Sequence, residues 1–154
     1  MNNDIAVLHS FLKSLQKGDY EIAESFCSKD IQFYDPLFGY LYRMRVFVMW
    51  TLKYKVYGNV ISDLEAPVDL GEGYYKVNCN FKITTLPKCE AQALRFHFRI
   101  EQGAINEYSE AYSLHQLASK RNGFLGSLLG WNRFYQNNMK IKARKRLFDL
   151  MNQQ

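Results

Sequence analysis

Leu94-Arg95-Phe96-His97-Phe98-Arg99-Ile100-Glu101-Gln102-Gly103-Ala104-Ile105 is the stretch on which the reading of this chain turns. Leu94, Phe96, Phe98 and Ile100 recur at every second position, the period of a strand with one buried face. Gln102-Gly103 is a tight hairpin signal, so residues 104–117 are expected to return as the partner strand. Upstream, Val77, Cys79, Phe81 and Ile83 alternate with Lys76, Asn78, Asn80 and Lys82, which predicts another half-buried strand. Leu86-Pro87-Lys88 turns the chain between the two.

The period is different before residue 59. Ile5, Leu8, Leu12 and Leu15 fall on one helix face, with Gly18 in the position that ends such a helix. Asp19 is placed to cap a short second helix through Phe26. A strand over residues 30–34 is stopped by Asp35-Pro36 and Gly39. Residues 43–57 read as a third helix with Val46, Phe47, Trp50 and Tyr54 on one side and Gly58 closing it. Helices followed by a meander of antiparallel strands predict an α+β domain, with the helices packed on one face of a curved sheet.

Composition narrows the classes. The chain has 154 residues, 47% hydrophobic and 16% aromatic, which suits one domain with a sizeable core and excludes overall disorder. The longest apolar run, Val46-Phe47-Val48-Met49-Trp50, falls far short of the ~20 residues that span a bilayer. No basic residue precedes Lys13, so the start does not read as a secretion signal. Cys27, Cys79 and Cys89 are odd in number and lack C-x-x-C spacing, and the three histidines are scattered, so neither a disulfide framework nor a metal site is expected. A reducing compartment follows, most simply the cytoplasm.

Charge divides the chain. Residues 1–119 carry 12 basic and 14 acidic side chains, whereas residues 120–154 carry 8 basic and 1 acidic. The first segment is expected to be the α+β domain. The second reads as a glycine-containing connector around Phe124, Leu125, Leu128 and Leu129, followed by a basic helix over 132–151 packed on the same domain. Tyr135, Met139, Ala143, Leu147 and Leu150 form its apolar stripe. Packing of that stripe on the domain is the first reading of the tail, and contact with a membrane surface is the second. A nucleic-acid partner is disfavoured, because no nucleic-acid motif accompanies the charge.

The turn Asp35-Pro36-Leu37-Phe38-Gly39, the helix end Leu15-Gln16-Lys17-Gly18-Asp19 and the hairpin at 96–105 occur in an order that resembles the SnoaL-like and ketosteroid-isomerase-like proteins of the nuclear-transport-factor-2-like superfamily. Leu128-Leu129-Gly130-Trp131 looks like the tail of one bacterial branch of it. The resemblance implies a cone: a strongly bent sheet around helices, with an apolar pocket at one end, and a homodimer formed through sheet faces. It also implies that Asp35 stands where ketosteroid isomerases hold their catalytic base. The alternative for Asp35 is to brace the turn before Pro36. The family's oxyanion donors fall on Phe11 and Phe96, which cannot donate, so standard steroid-isomerase chemistry is not expected.

Parity through Gly103 places Asn106, Tyr108, Glu110, Tyr112 and Leu114 inward with Phe96, and Glu110 matches a carboxylate that related sequences carry in this strand. Asp35, Glu110 and Tyr108 are therefore the candidate acid/base residues, since two carboxylates in an apolar pocket can hold different proton affinities. A one-residue slip would instead put Glu110 in solvent. Phe11, Phe33, Phe38, Trp50, Tyr54, Phe96, Phe98 and Tyr112 are the candidate ligand-binding residues, lining a pocket for a small apolar or polycyclic molecule or else filling it. The expected function is cofactor-independent acid/base catalysis of isomerase, cyclase, dehydratase or hydratase type. The alternative is a non-catalytic ligand-binding or interaction module.

Overall fold

A computed structural model describes residues 3–86, 90–119 and 132–153. Helices α1 (Asn3–Lys17) and α2 (Tyr20–Ser25) lead into β1 (Cys27–Asp35) and β2 (Gly39–Tyr42). Helix α3 (Met44–Trp50) continues directly into a π-helical turn over Thr51–Val56. Strands β3 (Asn59–Ser62), β4 (Val68–Gly71), β5 (Tyr74–Ile83), β6 (Gln92–Glu101) and β7 (Ala104–Ala111) follow. A short helix, α4, covers 114–119, and the long helix α5 (Arg133–Met151) comes last. The connector at 120–131 lies outside the described residues.

The seven strands form one α+β sheet in the order β2-β1-β7-β6-β5-β3, with β4 also paired to β5. The sheet is mostly antiparallel, as expected, with one parallel pair: β1 runs beside β7, Phe33 opposite Tyr108. Two expectations need correction. Strand β7 ends at Ala111, and the chain beyond it becomes helical over 114–119 instead of extending the strand to 117. Asp19 makes no side-chain cap to α2. Its backbone N–H bonds the Ser14 carbonyl at 2.9 Å, closing α1 around Gly18 at φ +79°.

The hairpin carries a third difference. Ile100 pairs with Ile105 but Arg99 pairs with Glu107, so Asn106 is an extra residue in β7. Parity on the far side of this bulge is as expected, and Tyr108 and Glu110 point inward. On the near side it reverses: Ile105 is buried, and the Asn106 side chain bonds Glu101 at the surface at 2.7 Å. Alternation counted from the hairpin could not detect a residue that the ladder skips.

Strand and helix faces meet in an aromatic interior. Phe11 of α1 lies 5.6 Å from Trp50, 5.7 Å from Phe98 and 5.9 Å from Tyr108, ring centre to ring centre. Tyr108 in turn stacks on Phe98 at 5.5 Å and meets Phe33 at 4.7 Å. Met139, Ala143 and Leu147 of α5 are buried, and α5 packs on α3. Arg144 donates to the Phe38 carbonyl at 3.1 Å. Gly39, at φ +72°, leaves room for that guanidinium, since a Cβ there would come within 2.6 Å of it. Phe11→Ala removes a ring with neighbours on three elements and is expected to lower unfolding free energy by about 3–5 kcal/mol. Phe134→Ala, on the exposed side of α5, is expected to change it by less than about 0.5 kcal/mol. Urea denaturation of the two variants checks both values.

Candidate active site

Asp35 ends β1, and its two oxygens do different work. Oδ1 accepts the backbone N–H groups of Leu37 and Phe38, at 3.0 and 2.5 Å, and so braces the Pro36 turn. Oδ2 faces inward, 2.8 Å from Lys53 Nζ, and accepts the Tyr112 hydroxyl at 3.0 Å. Turn-bracing and site-building were alternatives on the sequence; one carboxylate does both.

Lys53 also donates to Glu110 Oε2, while the Tyr108 hydroxyl donates to Oε1. Lys53, Asp35 and Glu110 are only 3%, 0% and 4% exposed, so the ammonium and both carboxylates are out of water. Three ring faces complete the cage around Nζ, with centres 5.6 Å (Phe33), 5.9 Å (Phe38) and 5.4 Å (Tyr112) away. Burial by itself disfavours the lysine's charge, but Asp35 and Glu110 outweigh it and hold its pKa above 10.5. Burial is the main reason the Glu110 carboxyl sits above its usual value. Lys53 opposes that shift and Asp35 adds to it. Burial first, then the neighbouring carboxylates, raises the phenols of Tyr54, Tyr108 and Tyr112 well above 10.0.

Lys53 is absent from the sequence reading. Its signal was present, because it stands three residues after Trp50 and seven after Val46, on the apolar stripe of the third helix. A lysine on such a stripe is usually dismissed as a solvated residue. The π-helical turn that carries it has no marker in composition.

Of the expected ligand-binding residues, Phe33, Phe38 and Tyr112 surround the lysine, while Tyr54 and Tyr112 line a small chamber against Lys53 and Glu110. Phe11, Trp50, Phe96 and Phe98 pack on one another and on Tyr108 and do not line that chamber. The chamber, bordered on its other sides by residues such as Leu37 and Leu117, is small, about 30 Å³. Among the described residues, hollows of about 260 Å³ beside Phe33, Phe98 and Tyr108 and about 410 Å³ beside Phe38 border other sides of these aromatics. Larger hollows, of about 720 Å³ beside Asn78 and Arg95 and about 520 Å³ between α2 and α3, are surface grooves that reach none of the three charged groups. Among the described residues, no group of three or more His, Cys, Asp or Glu side chains is placed to hold a metal ion.

No family profile and no curated protein matches the chain. Solved structures do. A protein of unknown function with a cystatin-like fold from Xanthomonas campestris superposes with a TM-score of 0.66 at 23% identity, over 73% of this chain and 92% of its own. An NTF2-like protein of unknown function from Burkholderia pseudomallei gives 0.70 at 9% identity, over 80% and 100%. A candidate polyketide cyclase from Xanthomonas campestris pv. campestris gives 0.65 at 11% identity, over 78% and 97%.

The charged cluster has a pH signature. The raised Lys53 pKa contributes stability that is complete below pH 10.5 and is lost as pH rises through the folded value. The raised phenols act in the same direction above pH 10.0, since the unfolded chain sheds those protons first. Melting temperature is therefore expected to fall steeply above pH 10, with phenolate absorbance from the buried tyrosines emerging only on unfolding. Lys53→Met leaves two carboxylates facing each other and is expected to cost about 3–5 kcal/mol at neutral pH. Part of that loss should return on acidification, when Glu110 takes up a proton; chemical denaturation across pH measures both effects.

Proposed function

From an NTF2-like fold with a lysine held between two buried carboxylates, we propose a cofactor-independent acid/base enzyme of isomerase or cyclase type, acting on a small carbonyl-bearing molecule. The observation that carries this reading is the convergence of Asp35 and Glu110 on Lys53 inside an apolar interior. Buried ion clusters add little net stability compared with apolar packing, so a fold has small structural reason to keep one. Strongly shifted groups gathered at one point are a mark of functional sites.

The roles follow from the geometry. Glu110, with its raised pKa and its place on the chamber wall, is the proton acceptor from a carbon acid. The Lys53 ammonium supplies positive charge for the oxygen of the developing enolate. Asp35, off the chamber and fixed by the turn, keeps that ammonium charged and aimed. Tyr108 orients Glu110 through its hydroxyl. The proton then returns from Glu110 to a second carbon, or the enolate carbon closes onto an internal carbonyl, whose oxygen becomes an alkoxide and takes the proton back from Glu110. The chamber is small, so a substrate enters as side chains such as Leu117 and Tyr54 move aside.

The filled interior favours a second reading, an interaction module without catalysis. Deuterium exchange from solvent into small cyclic ketones and β-diketones, followed by NMR, separates the two. Wild-type protein is expected to accelerate exchange and Glu110→Gln to lose about 10²–10⁴-fold of that acceleration while remaining folded. Equal rates for wild type and Glu110→Gln would end the enzymatic reading.

A further inference from the structure

Helix α5 has two apolar faces, and the fold uses one. Met139, Ala143 and Leu147 are buried against the domain. Phe134, Ile141 and Phe148 are 75%, 62% and 63% exposed. They are spaced seven apart, so at ~100° per residue they form one line along the helix, drifting only about 20° per heptad. That line lies roughly 160° around the helix from the buried one, with Phe148 at its end also bordering a groove beside Phe38 and Tyr40. From Phe134 to Phe148 it runs about 21 Å.

The charge on the same helix decides what this face suits. Arg133, Lys140, Lys142, Arg144, Lys145 and Arg146 stand against Asp149 alone, whereas the rest of the chain carries fourteen basic and fourteen acidic side chains. The whole positive excess of the protein therefore resides in α5. Arg144 and Arg146 are turned back to the domain, on the Phe38 carbonyl and the Tyr57 ring. Lys140 and Lys142 straddle the exposed line, one residue to either side of Ile141. Lys145 lies between Ile141 and Phe148. Among the described residues, Arg133, Lys140, Lys142 and Lys145 form no ion pair.

We infer that α5 is a docking face for an anionic lipid surface, with Phe134, Ile141 and Phe148 entering the acyl boundary and the lysines and Arg133 resting on the headgroups. A second copy of the chain would bring two strongly basic helices together, and their charges repel. The phosphates of a nucleic acid would satisfy the lysines but leave the three apolar side chains in water. A bilayer surface satisfies both, and long lysine stems allow the ammonium groups to reach outward while their methylenes lie along the apolar line. Among the described residues no helix is long and apolar enough to cross a membrane, so the contact described is with the surface.

The test is co-sedimentation of the full chain with vesicles of phosphatidylcholine, alone and in equal mixture with phosphatidylglycerol. The wild-type chain is expected to pellet with the anionic vesicles, weakly with the neutral ones, and less as salt increases. Ile141→Gln/Phe148→Gln should bind the anionic vesicles at least about tenfold more weakly with an unchanged melting temperature. Lys142→Glu/Lys145→Glu should lose at least about tenfold on anionic vesicles and keep the weak neutral binding. The inference is overturned if the wild type stays in the supernatant with anionic vesicles at low salt. Binding indifferent to the apolar pair would overturn it too. So would a solution dimer that the same pair dissociates, or retention by duplex DNA that the pair leaves intact, in a chain that does not bind vesicles.

Discussion

The Lys53 ammonium is the point on which the interior is organised. It ties the end of β1, through Asp35, to the end of β7, through Glu110, and these are neighbouring parallel strands. The lysine itself comes from the π-helical turn that extends α3. One buried cation thus fixes a strand end, a central strand and the helix that lies on them. Desolvating three ions costs several kcal/mol each, and only mutual attraction with complete hydrogen bonding offsets this. The site meets that demand closely: both oxygens of each carboxylate are occupied, by backbone N–H groups, tyrosine hydroxyls and the ammonium.

The cluster is also unbalanced, with two carboxylates to one ammonium. The repulsion that remains is placed on Glu110, whose burial and proximity to Asp35 raise its proton affinity. Asp35 is anchored differently, by two backbone donors and a fixed turn. Two chemically similar side chains are thereby given unequal environments, the condition under which one serves as a proton carrier and the other as a fixed charge.

Much of this was legible in the residues. The hairpin at Gln102-Gly103 and the alternation in β5 and β6 followed from period and turn chemistry, whereas Tyr108 and Glu110 face inward because the register shifts at Asn106. Asp35 stood out because Pro36 and Gly39 mark the strand end. The bulge at Asn106 was hidden, because an extra residue in a ladder changes pairing without changing composition. The parallel partnership of β1 and β7 was hidden for another reason: it joins segments about seventy residues apart, and nothing local encodes it. Lys53 lay on an apolar stripe in plain view, yet a lysine there gains meaning only once its two partners are known.

The α5 helix makes the same division visible at the surface. Its basic excess and its inner stripe of Met139, Ala143 and Leu147 belong to the sequence; the outer line of Phe134, Ile141 and Phe148 is distinguished from it only by what the domain covers. The amino-acid order by itself determined the elements, their buried faces and the concentration of charge in one helix, because these depend on neighbours a few residues apart. The tertiary structure decided which charges meet, how small a chamber the aromatics leave beside Lys53, and which apolar face stays in water. Those outcomes depend on distances between residues far apart in the chain, and only folding sets such distances.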